Sequence, residues 1–209
     1  GIEMVYLSPH MTVEKGSLNP YKIVDFNKVE TALGGMRGFQ SFIKALHKHK
    51  MTYMIDIVPN HMGASLENSW WVDVLKKGKQ SKYAKFFDIE WEFGKGKVVV
   101  PGEKFPFKGE YTLVSGSEIH KKVNYRRFFD IADLVGLRVE DREVFDAVHK
   151  TVFSWIKKGF IQGVRVDHPD GLLEPEKYLR ELKKETKGCY VLLEKILQSG
   201  EEVRDGWPC

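Results

Sequence analysis

Gly163-Val-Arg-Val-Asp-His-Pro-Asp-Gly171 is the stretch around which the predicted fold of this 209-residue chain is built. Its first half predicts a short buried strand over residues 161–167, because β-branched residues alternate with two ionisable ones. Residues two apart in a strand share a face, so Arg165 and Asp167 point the same way. Pro169 and Gly171 end the strand and leave Asp167 at its C-terminal tip. A carboxylate kept ionised there by a guanidinium is either a nucleophile of sugar chemistry or half of a structural ion pair, and spacing alone favours neither.

Strands and helices alternate on both sides of this stretch. Short apolar runs predict strands, and apolar residues at helical spacing predict helices. The predicted strands cover residues 2–7, 52–58, 161–167 and 190–194, and the predicted helices cover 36–48, 68–78, 141–158 and a segment from 175 to about 188. Residues 83–120 interrupt this order with short β-like patches among Gly and Pro. The alternation predicts an α/β fold with a parallel sheet and a small excursion within it.

Three of the predicted strands carry an acidic residue at or near the C-terminal end. They are Asp56, Asp167 and Glu194. The C-terminal ends of parallel strands meet at one edge, where functional sites gather in barrels and open sheets alike. We therefore expect Tyr6, Asp56, Asp167 and Glu194 along one face, on adjacent parallel strands in chain order. This pattern favours an enzyme.

Asp167 and Glu194 form a candidate nucleophile and general acid if their surroundings push their pKa values apart. Arg165 is expected to keep Asp167 charged, and the apolar residues 191–193 are expected to raise the pKa of Glu194. The alternative for Glu194 is an ion pair with Lys195 or a capping role. His61 either donates to a substrate hydroxyl or is a satisfied structural donor.

The composition is 42% hydrophobic and 30% charged, with a net charge of +4. Because the lysines are interspersed with acidic residues, no nucleic-acid surface is predicted. No apolar run is long enough to cross a membrane, so no membrane partner is expected. Cys189 and Cys209 have neither metal-ligand nor disulfide spacing, which favours a reducing compartment, the cytoplasm. The chain starts inside a strand without Met and stops in a loop, so we interpret it as part of a longer protein.

Three strings place the chain in a known context. Asp56-Ile-Val-Pro-Asn-His61, Gly163-Val-Arg-Val-Asp167 and Val191-Leu-Leu-Glu194 resemble, in order, three signature regions of the α-amylase superfamily, glycoside hydrolase family 13. That resemblance implies a (β/α)8 TIM barrel with an excursion after the third strand. About four of the eight strands would be present: strands 2 and 3 in residues 1–82, a short excursion in 83–123, and strands 4 and 5 in 124–209.

Within the superfamily the chain is most similar to the maltooligosyltrehalose synthases. The longer strings that carry this similarity are Asn124-Tyr-Arg-Arg-Phe-Phe-Asp130, Leu134-Val-Gly-Leu-Arg-Val-Glu140, His168-Pro-Asp-Gly171 and Glu194-Lys-Ile-Leu197. The resemblance implies an intramolecular transglucosylation. The reducing-end α-1,4 bond of a maltooligosaccharide becomes the α,α-1,1 bond of maltooligosyltrehalose, in trehalose biosynthesis, by a retaining mechanism. The two carboxyls of a retaining pair stand about 5–5.5 Å apart.

The same resemblance implies a role for each site residue and no cofactor or metal. Asp167 is the nucleophile and Glu194 the acid/base. The residues that bind or position the substrate are Tyr21 (the aromatic platform), Asp56, His61, Arg165 and His168. No third catalytic aspartate can be placed, so the rest of the barrel is expected to be required and the chain alone to be inactive.

One departure concerns the platform tyrosine. The family usually has a His-Gly-Tyr-Asp string, where this chain has Asn19-Pro-Tyr-Lys22. The change removes polar contacts and stiffens the loop, which predicts lower catalytic efficiency. Two alternatives stay open on this sequence: an α-glucan hydrolase of the same superfamily, and a non-catalytic glucan-binding remnant.

Overall fold

The computed structural model describes residues 1–102, 105–203 and 206–208. Cys209 therefore lies outside the described residues. The strands are β1 (Met4–Leu7), β2 (Met11–Val13), β3 (Ile23–Val29), β4 (Thr52–Ile57), β5 (His61–Gly63), β6 (Val98–Pro101), β7 (Tyr111–Val114), β8 (Arg127–Phe128), β9 (Ile131–Gly136), β10 (Gly163–Val166) and β11 (Tyr190–Leu193). The α-helices are α1 (Gly35–Lys48), α2 (Ser69–Lys77), α3 (Ile119–Lys122), α4 (Arg142–Lys157) and α5 (Pro175–Glu185).

The chain folds into two compact units. The first comprises Gly1–Thr12, Phe26–Asn60 and Val139–Cys209. The second comprises Val13–Asp25 and His61–Arg138. The division of the barrel at residues 82/83 and 123/124 stays a prediction.

The first unit is built on a four-stranded parallel sheet in the order β1-β4-β10-β11. In its register Leu7 pairs with Ile55, and Arg165 pairs with both Asp56 and Leu192. The strands thus follow one another across the sheet in chain order. The predicted parallel α/β arrangement is confirmed.

Three helices connect the strands of this sheet and bury their apolar faces. In α1 the buried residues Phe39, Ile43 and Leu46 recur at helical spacing. Burying a side chain of this size contributes roughly 1.5–3 kcal/mol. The ring of Phe39 stacks on Trp155 of α4 with centroids 4.1 Å apart, so α1 and α4 share one core.

Helix ends carry the expected capping residues. Asp141 caps α4 by accepting a hydrogen bond from the Glu143 amide at 2.9 Å. Pro175 occupies the first turn of α5, where its missing N–H leaves no helical bond unmade. In the second unit Asn68 caps α2 by accepting from the amides of Trp70 and Trp71, each at 3.1 Å. These helices match their predicted positions to within three residues at each end.

The second unit contains an antiparallel sheet in the order β5-β9-β8 and a parallel pair, β6 and β7. Asn124 stabilises this unit with a buried side chain. Its amide nitrogen donates to the carbonyls of Glu90 and Lys97, each at 2.9 Å, and its oxygen accepts from the Val99 amide at 2.7 Å. Arg126 forms an ion pair with Asp88 at 3.0 Å. The string that begins at Asn124 therefore holds the loops of this unit together.

Among the described residues, no helix has both the length and the apolar character needed to span a bilayer.

Candidate active site

A cluster of ionisable side chains lies along the parallel sheet of the first unit. The Tyr6 hydroxyl on β1 donates to Asp56 Oδ2 at 2.7 Å. Arg165 Nη1 on β10 donates to the same oxygen at 2.5 Å. The Asp56 side chain is completely buried, and a buried charge needs compensation, which these two donors provide. Tyr6, Asp56 and Arg165 thus share one face of the sheet.

Arg165 links three carboxylates, and it is not closest to the one that its sequence spacing suggests. Its Nη2 lies 2.9 Å from Glu194 Oε1, and its Nη1 lies 3.8 Å from Asp167 Oδ1. Asp56 and Glu194 are therefore its main partners. The register explains this, because Asp56 is directly opposite Arg165 on the neighbouring strand.

Asp167 and Glu194 follow the last ladder positions of β10 and β11. The Asp167 amide donates to the Ile57 carbonyl at 2.9 Å, and the Glu194 amide donates to the Val166 carbonyl at 3.0 Å. Hydrogen bonding along the sheet thus continues through both residues. The predicted order, with Asp56, Asp167 and Glu194 on successive parallel strands, is confirmed.

The two carboxyl groups hydrogen-bond to each other and have opposite pKa shifts. Burial raises the pKa of Asp167, and the hydrogen bond and charge of Glu194 raise it further. Burial acts in the same direction on Glu194, but hydrogen bonds from the His168 amide and from Asp167, together with Arg165, outweigh it and lower the pKa of Glu194. The side chain of Asp167 is 10% exposed and that of Glu194 is 35% exposed.

The expectation that Arg165 keeps Asp167 charged while Glu194 holds the proton is therefore wrong in both directions. The deeper carboxyl, Asp167, takes the proton, and the better-solvated Glu194 carries the charge. The surroundings do push the two pKa values apart, as an acid and a nucleophile require.

The alternative for Glu194, an ion pair with Lys195, is not what the structure shows. Lys195 Nζ lies 2.8 Å from Glu201 and 3.3 Å from Asp170. Glu194 is left to contact Arg165 and the backbone amide of His168, which donates to its Oε2 at 3.0 Å. Five predicted site residues therefore come together in the first unit: Asp56, Arg165, Asp167, His168 and Glu194.

The other two predicted site residues, Tyr21 and His61, belong to the second unit. His61 is 1% exposed, and its ring lies 4.5 Å from that of Phe128. Tyr21 is half-buried, and its amide donates to Asn19 Oδ1 at 3.0 Å. Lys22, which stands where the family has an aspartate, forms ion pairs with Glu14 and Asp133 at 2.6 and 2.5 Å. The altered string thus has polar contacts of its own.

Sequence reasoning missed the packing contacts that support the site residues. Asn60 is 1% exposed and lies against Gly171, together with the His168 ring. Both strings, Asn60-His61 and His168–Gly171, are visible in the sequence. Nothing in their spacing indicates that they contact each other in the fold. The described part of the chain contains no group of three or more His, Cys, Asp or Glu side chains arranged to hold a metal ion.

Comparison with known proteins places this site in a family. A family model for the α-amylase catalytic domain matches residues 1–195. A Mycobacterium tuberculosis protein named after maltooligosyl trehalose synthase is 36% identical over an alignment that covers 100% of this chain and 32% of the relative. The maltooligosyltrehalose synthase of Arthrobacter ramosus superposes with a TM-score of 0.92 at 36% identity, covering 99% of this chain and 32% of that structure. The intracellular maltogenic amylase of Bacillus subtilis is 27% identical, covering 80% of this chain and 23% of the relative.

The chain spans about a third of the length of the first two of these proteins. Its parallel α/β sheet and its carboxyl cluster at the strand ends accord with the match to the catalytic domain, which covers almost all of the sequence. This chain belongs to the α-amylase family, and it is similar over its whole length to maltooligosyltrehalose synthases.

Proposed function

We propose that this chain supplies the nucleophile and the acid/base of a glucosylmutase, an intramolecular transferase that turns a maltooligosaccharide into maltooligosyltrehalose. The observation that carries the proposal is the pair Asp167 and Glu194, which follow two adjacent parallel strands and have pKa values shifted in opposite directions. The 36% identity to proteins named for this activity supports the choice of reaction within the family.

In the first half of the reaction the proton of the pair passes along its hydrogen bond to Glu194. The Asp167 carboxylate then attacks the anomeric carbon of the penultimate glucose residue, and Glu194 protonates O4 of the departing terminal glucose. The α-1,4 bond breaks and a glucosyl ester with Asp167 forms. Glu194, now ionised, changes from general acid to general base, while Asp167 stays bound in the ester.

In the second half the released glucose turns around without leaving the site. Its anomeric hydroxyl gives a proton to Glu194 and attacks the same carbon, which frees the Asp167 carboxylate. The new bond is α,α-1,1, and two inversions at the attacked carbon give net retention. Because water competes for the glucosyl ester, the site must exclude it while the glucose turns.

In this proposal the remaining predicted residues orient the nucleophile and the substrate. Arg165 and Asp56 hold the nucleophile and the sugar hydroxyls, His61 and His168 contribute to binding the substrate, and Tyr21 is the platform beneath the ring. The reaction also requires the rest of a (β/α)8 barrel, of which this chain would provide four strands, and a third catalytic aspartate from outside these residues. With few cysteines and no disulfide spacing, the reaction fits the cytoplasm.

The test is the fate of reducing ends. The protein expressed from its complete coding sequence is expected to consume maltopentaose while the reducing power of the mixture falls, because an α,α-1,1 bond has no free anomeric carbon. A reducing-sugar assay measures the fall, and chromatography identifies the product. The Asp167→Asn variant is the control for contaminating activity.

The same assay separates the alternatives. A rise in reducing ends, with glucose or maltose released, identifies an α-glucan hydrolase and contradicts the proposal. Binding of maltopentaose without any turnover identifies a non-catalytic glucan-binding protein. The altered string Asn19-Pro-Tyr-Lys22 is the feature that favours this last candidate.

A further inference from the structure

His168, the residue after the proposed nucleophile, has a strained backbone. Its φ and ψ are 47° and 54°, in the left-handed region. This conformation is unfavourable for a residue with a Cβ, so the surrounding structure must impose it. Strain of this kind at a candidate active site motivates a search for what it achieves.

Packing against Gly171 holds His168 in place. Pro169–Gly171 forms a single tight turn, closed by a hydrogen bond of 3.1 Å from the Gly171 amide to the His168 carbonyl. A Cβ at residue 171 would lie 2.7 Å from both His168 Nε2 and Asn60 Oδ1, closer than real Cβ contacts come. Only glycine therefore lets the imidazole and the Asn60 amide lie against the turn.

In this arrangement the backbone N–H of His168 points toward Glu194. The His168 amide donates to Glu194 Oε2 at 3.0 Å, while Arg165 Nη2 binds the other oxygen, Oε1, at 2.9 Å. Two donors on two oxygens fix both the position and the plane of the carboxylate. The ion pair of 3.3 Å between Asp170 and Lys195 adds a second link between the turn and the segment after β11.

We propose that the turn His168–Gly171 is a positioning device for Glu194, and that His168 acts through its backbone amide, which the turn begun by its left-handed conformation holds in place. The proposal rests on the proposed function, because it takes Glu194 as the acid/base. It assigns the His-Pro-Asp-Gly string a role in placing the acid/base that does not require contact between the imidazole and the sugar.

Several charged groups act on Glu194 besides this amide. The titratable or charged members of the cluster, from three strands, the turn and the segment after β11, are Tyr6, Asp56, Arg165, Asp167, His168 and Lys195. A change at the turn leaves the side chains on the strands in place. A hydrogen bond to the ionised form lowers the pKa of a carboxyl, so loss of the amide contact is expected to raise the pKa of Glu194.

Two substitutions at residue 168 separate the amide from the imidazole. Both His168→Asn and His168→Val remove the ring, but asparagine accepts the left-handed region and the β-branched valine opposes it. We expect His168→Val to raise the pKa of Glu194 by about 1 unit, the value of one charge-assisted hydrogen bond, and His168→Asn to leave it close to that of the parent. The measurement is a carbon-detected NMR titration of labelled glutamate carboxyls in the complete protein, with Glu194 assigned from a Glu194→Gln variant.

Gly171→Ala tests the same positioning role by a change outside residue 168. It decides the question if His168→Val does not fold. Its Cβ displaces the His168 ring, so the pKa of Glu194 rises and the acidic limb of kcat/KM, where Glu194 ionises first, moves to higher pH. Gly206→Ala is the matched control, because a Cβ there meets nothing closer than 3.7 Å and residue 206 is not part of the cluster.

The outcomes for positioning and for the reaction are distinguishable. Equal shifts in His168→Asn and His168→Val, or no shift in Gly171→Ala, overturn the positioning role even if trehalosyl product forms. The expected shifts in a protein that releases reducing sugars from maltopentaose support the positioning role and overturn only the proposed reaction.

Discussion

At the scale of single residues, the location of one proton distinguishes Asp167 from Glu194. Asp167 is the more buried of the two, and the Arg165 guanidinium is farther from it, at 3.8 Å, than from Glu194, at 2.9 Å. Glu194 has a backbone amide and a guanidinium at about hydrogen-bond distance. Neighbours brought in by the fold, and not those adjacent in sequence, therefore determine which carboxyl is charged.

Asp167→Asn tests the nucleophile. The amide keeps the size and most hydrogen bonds of the carboxyl but cannot form the glucosyl ester. We expect turnover of maltopentaose by the complete protein to fall on the order of 10⁴-fold or more. Glucan affinity, measured by calorimetry, is expected to survive because most substrate contacts lie elsewhere. A variant with near-parental turnover would contradict the assignment.

The positions of Asp56, Asp167 and Glu194 at the ends of neighbouring strands could be predicted, but the directions of the pKa shifts of Asp167 and Glu194 could not. Strand alternation and the strand-ending Pro169 were enough to place Asp167 at a tip beside Arg165. The partner of Arg165 depends on the register between β10 and β4, which pairs it with Asp56 across 109 residues of sequence. No local pattern contains that register.

At the scale of elements, helices α4 and α5 are joined by a buried hydrogen-bonded pair. His149 Nδ1 on α4 donates to the Phe145 carbonyl at 2.7 Å, and its Nε2 accepts from the Tyr178 hydroxyl of α5 at 2.8 Å. Burial lowers the pKa of His149 to about 4. The ring is therefore neutral in the folded protein at neutral pH, which this pair of hydrogen bonds requires.

This pair predicts a stability that depends on pH. The unfolded chain takes up a proton near pH 6.5, whereas the folded chain does so only near pH 4, so the stability contributed above pH 6.5 is lost as the pH falls through that window. From pH 7 to pH 5 the loss is expected to be about 2 kcal/mol. Urea unfolding followed by tryptophan fluorescence measures it, since Trp155 lies buried on α4.

His149→Gln is the variant for this test, because glutamine can accept from Tyr178 without titrating. It is expected to flatten the fall between pH 7 and pH 5, whatever its effect on absolute stability. His47→Gln, at an exposed position of α1, is the control. An unchanged pH slope in His149→Gln would show that other groups cause the loss.

The elements that could be predicted are those with a strong period or a strong cap. The apolar spacing of Phe39, Ile43 and Leu46 indicates α1, and Asn68 marks the start of α2. Strands β5, β8 and β9 were missed, because β5 and β8 have only three and two residues and β9 pairs with β8 through a bulge. Their pairing depends instead on partners distant in sequence, since His61 of β5 pairs with Gly136 of β9.

At the scale of the whole molecule, the parallel sheet ends in two outer strands, β1 and β11. Among the described residues, each of these two strands has one edge that is not paired within this sheet. Open edges of this kind promote association with other strands. The family match and the length of the relatives are consistent with a barrel in which further strands cover both edges.

We predict that residues 1–209 produced alone will not form trehalosyl product from maltopentaose above background. The wall opposite Asp56 and Arg165 and the third aspartate would be missing, so developing charge could not be stabilised. The isolated segment is also expected to elute as aggregates in size-exclusion chromatography. A monomer that unfolds cooperatively and makes product would contradict both expectations.

The separation of Tyr6, Asp56 and Arg165 along the chain has a consequence during synthesis on the ribosome. β1 and β4 can pair as soon as residue 57 has emerged, but Arg165 follows Asp56 by 109 residues. At typical translation speeds this is a delay of roughly 5–20 s, during which His61–Arg138 of the second unit is made. Throughout that interval the Tyr6 hydroxyl is the partner that Asp56 already has within reach. Tyr6 is one of two donors to Asp56 in the finished site. It is thus the first of them that can stabilise the Asp56 carboxylate in the growing protein.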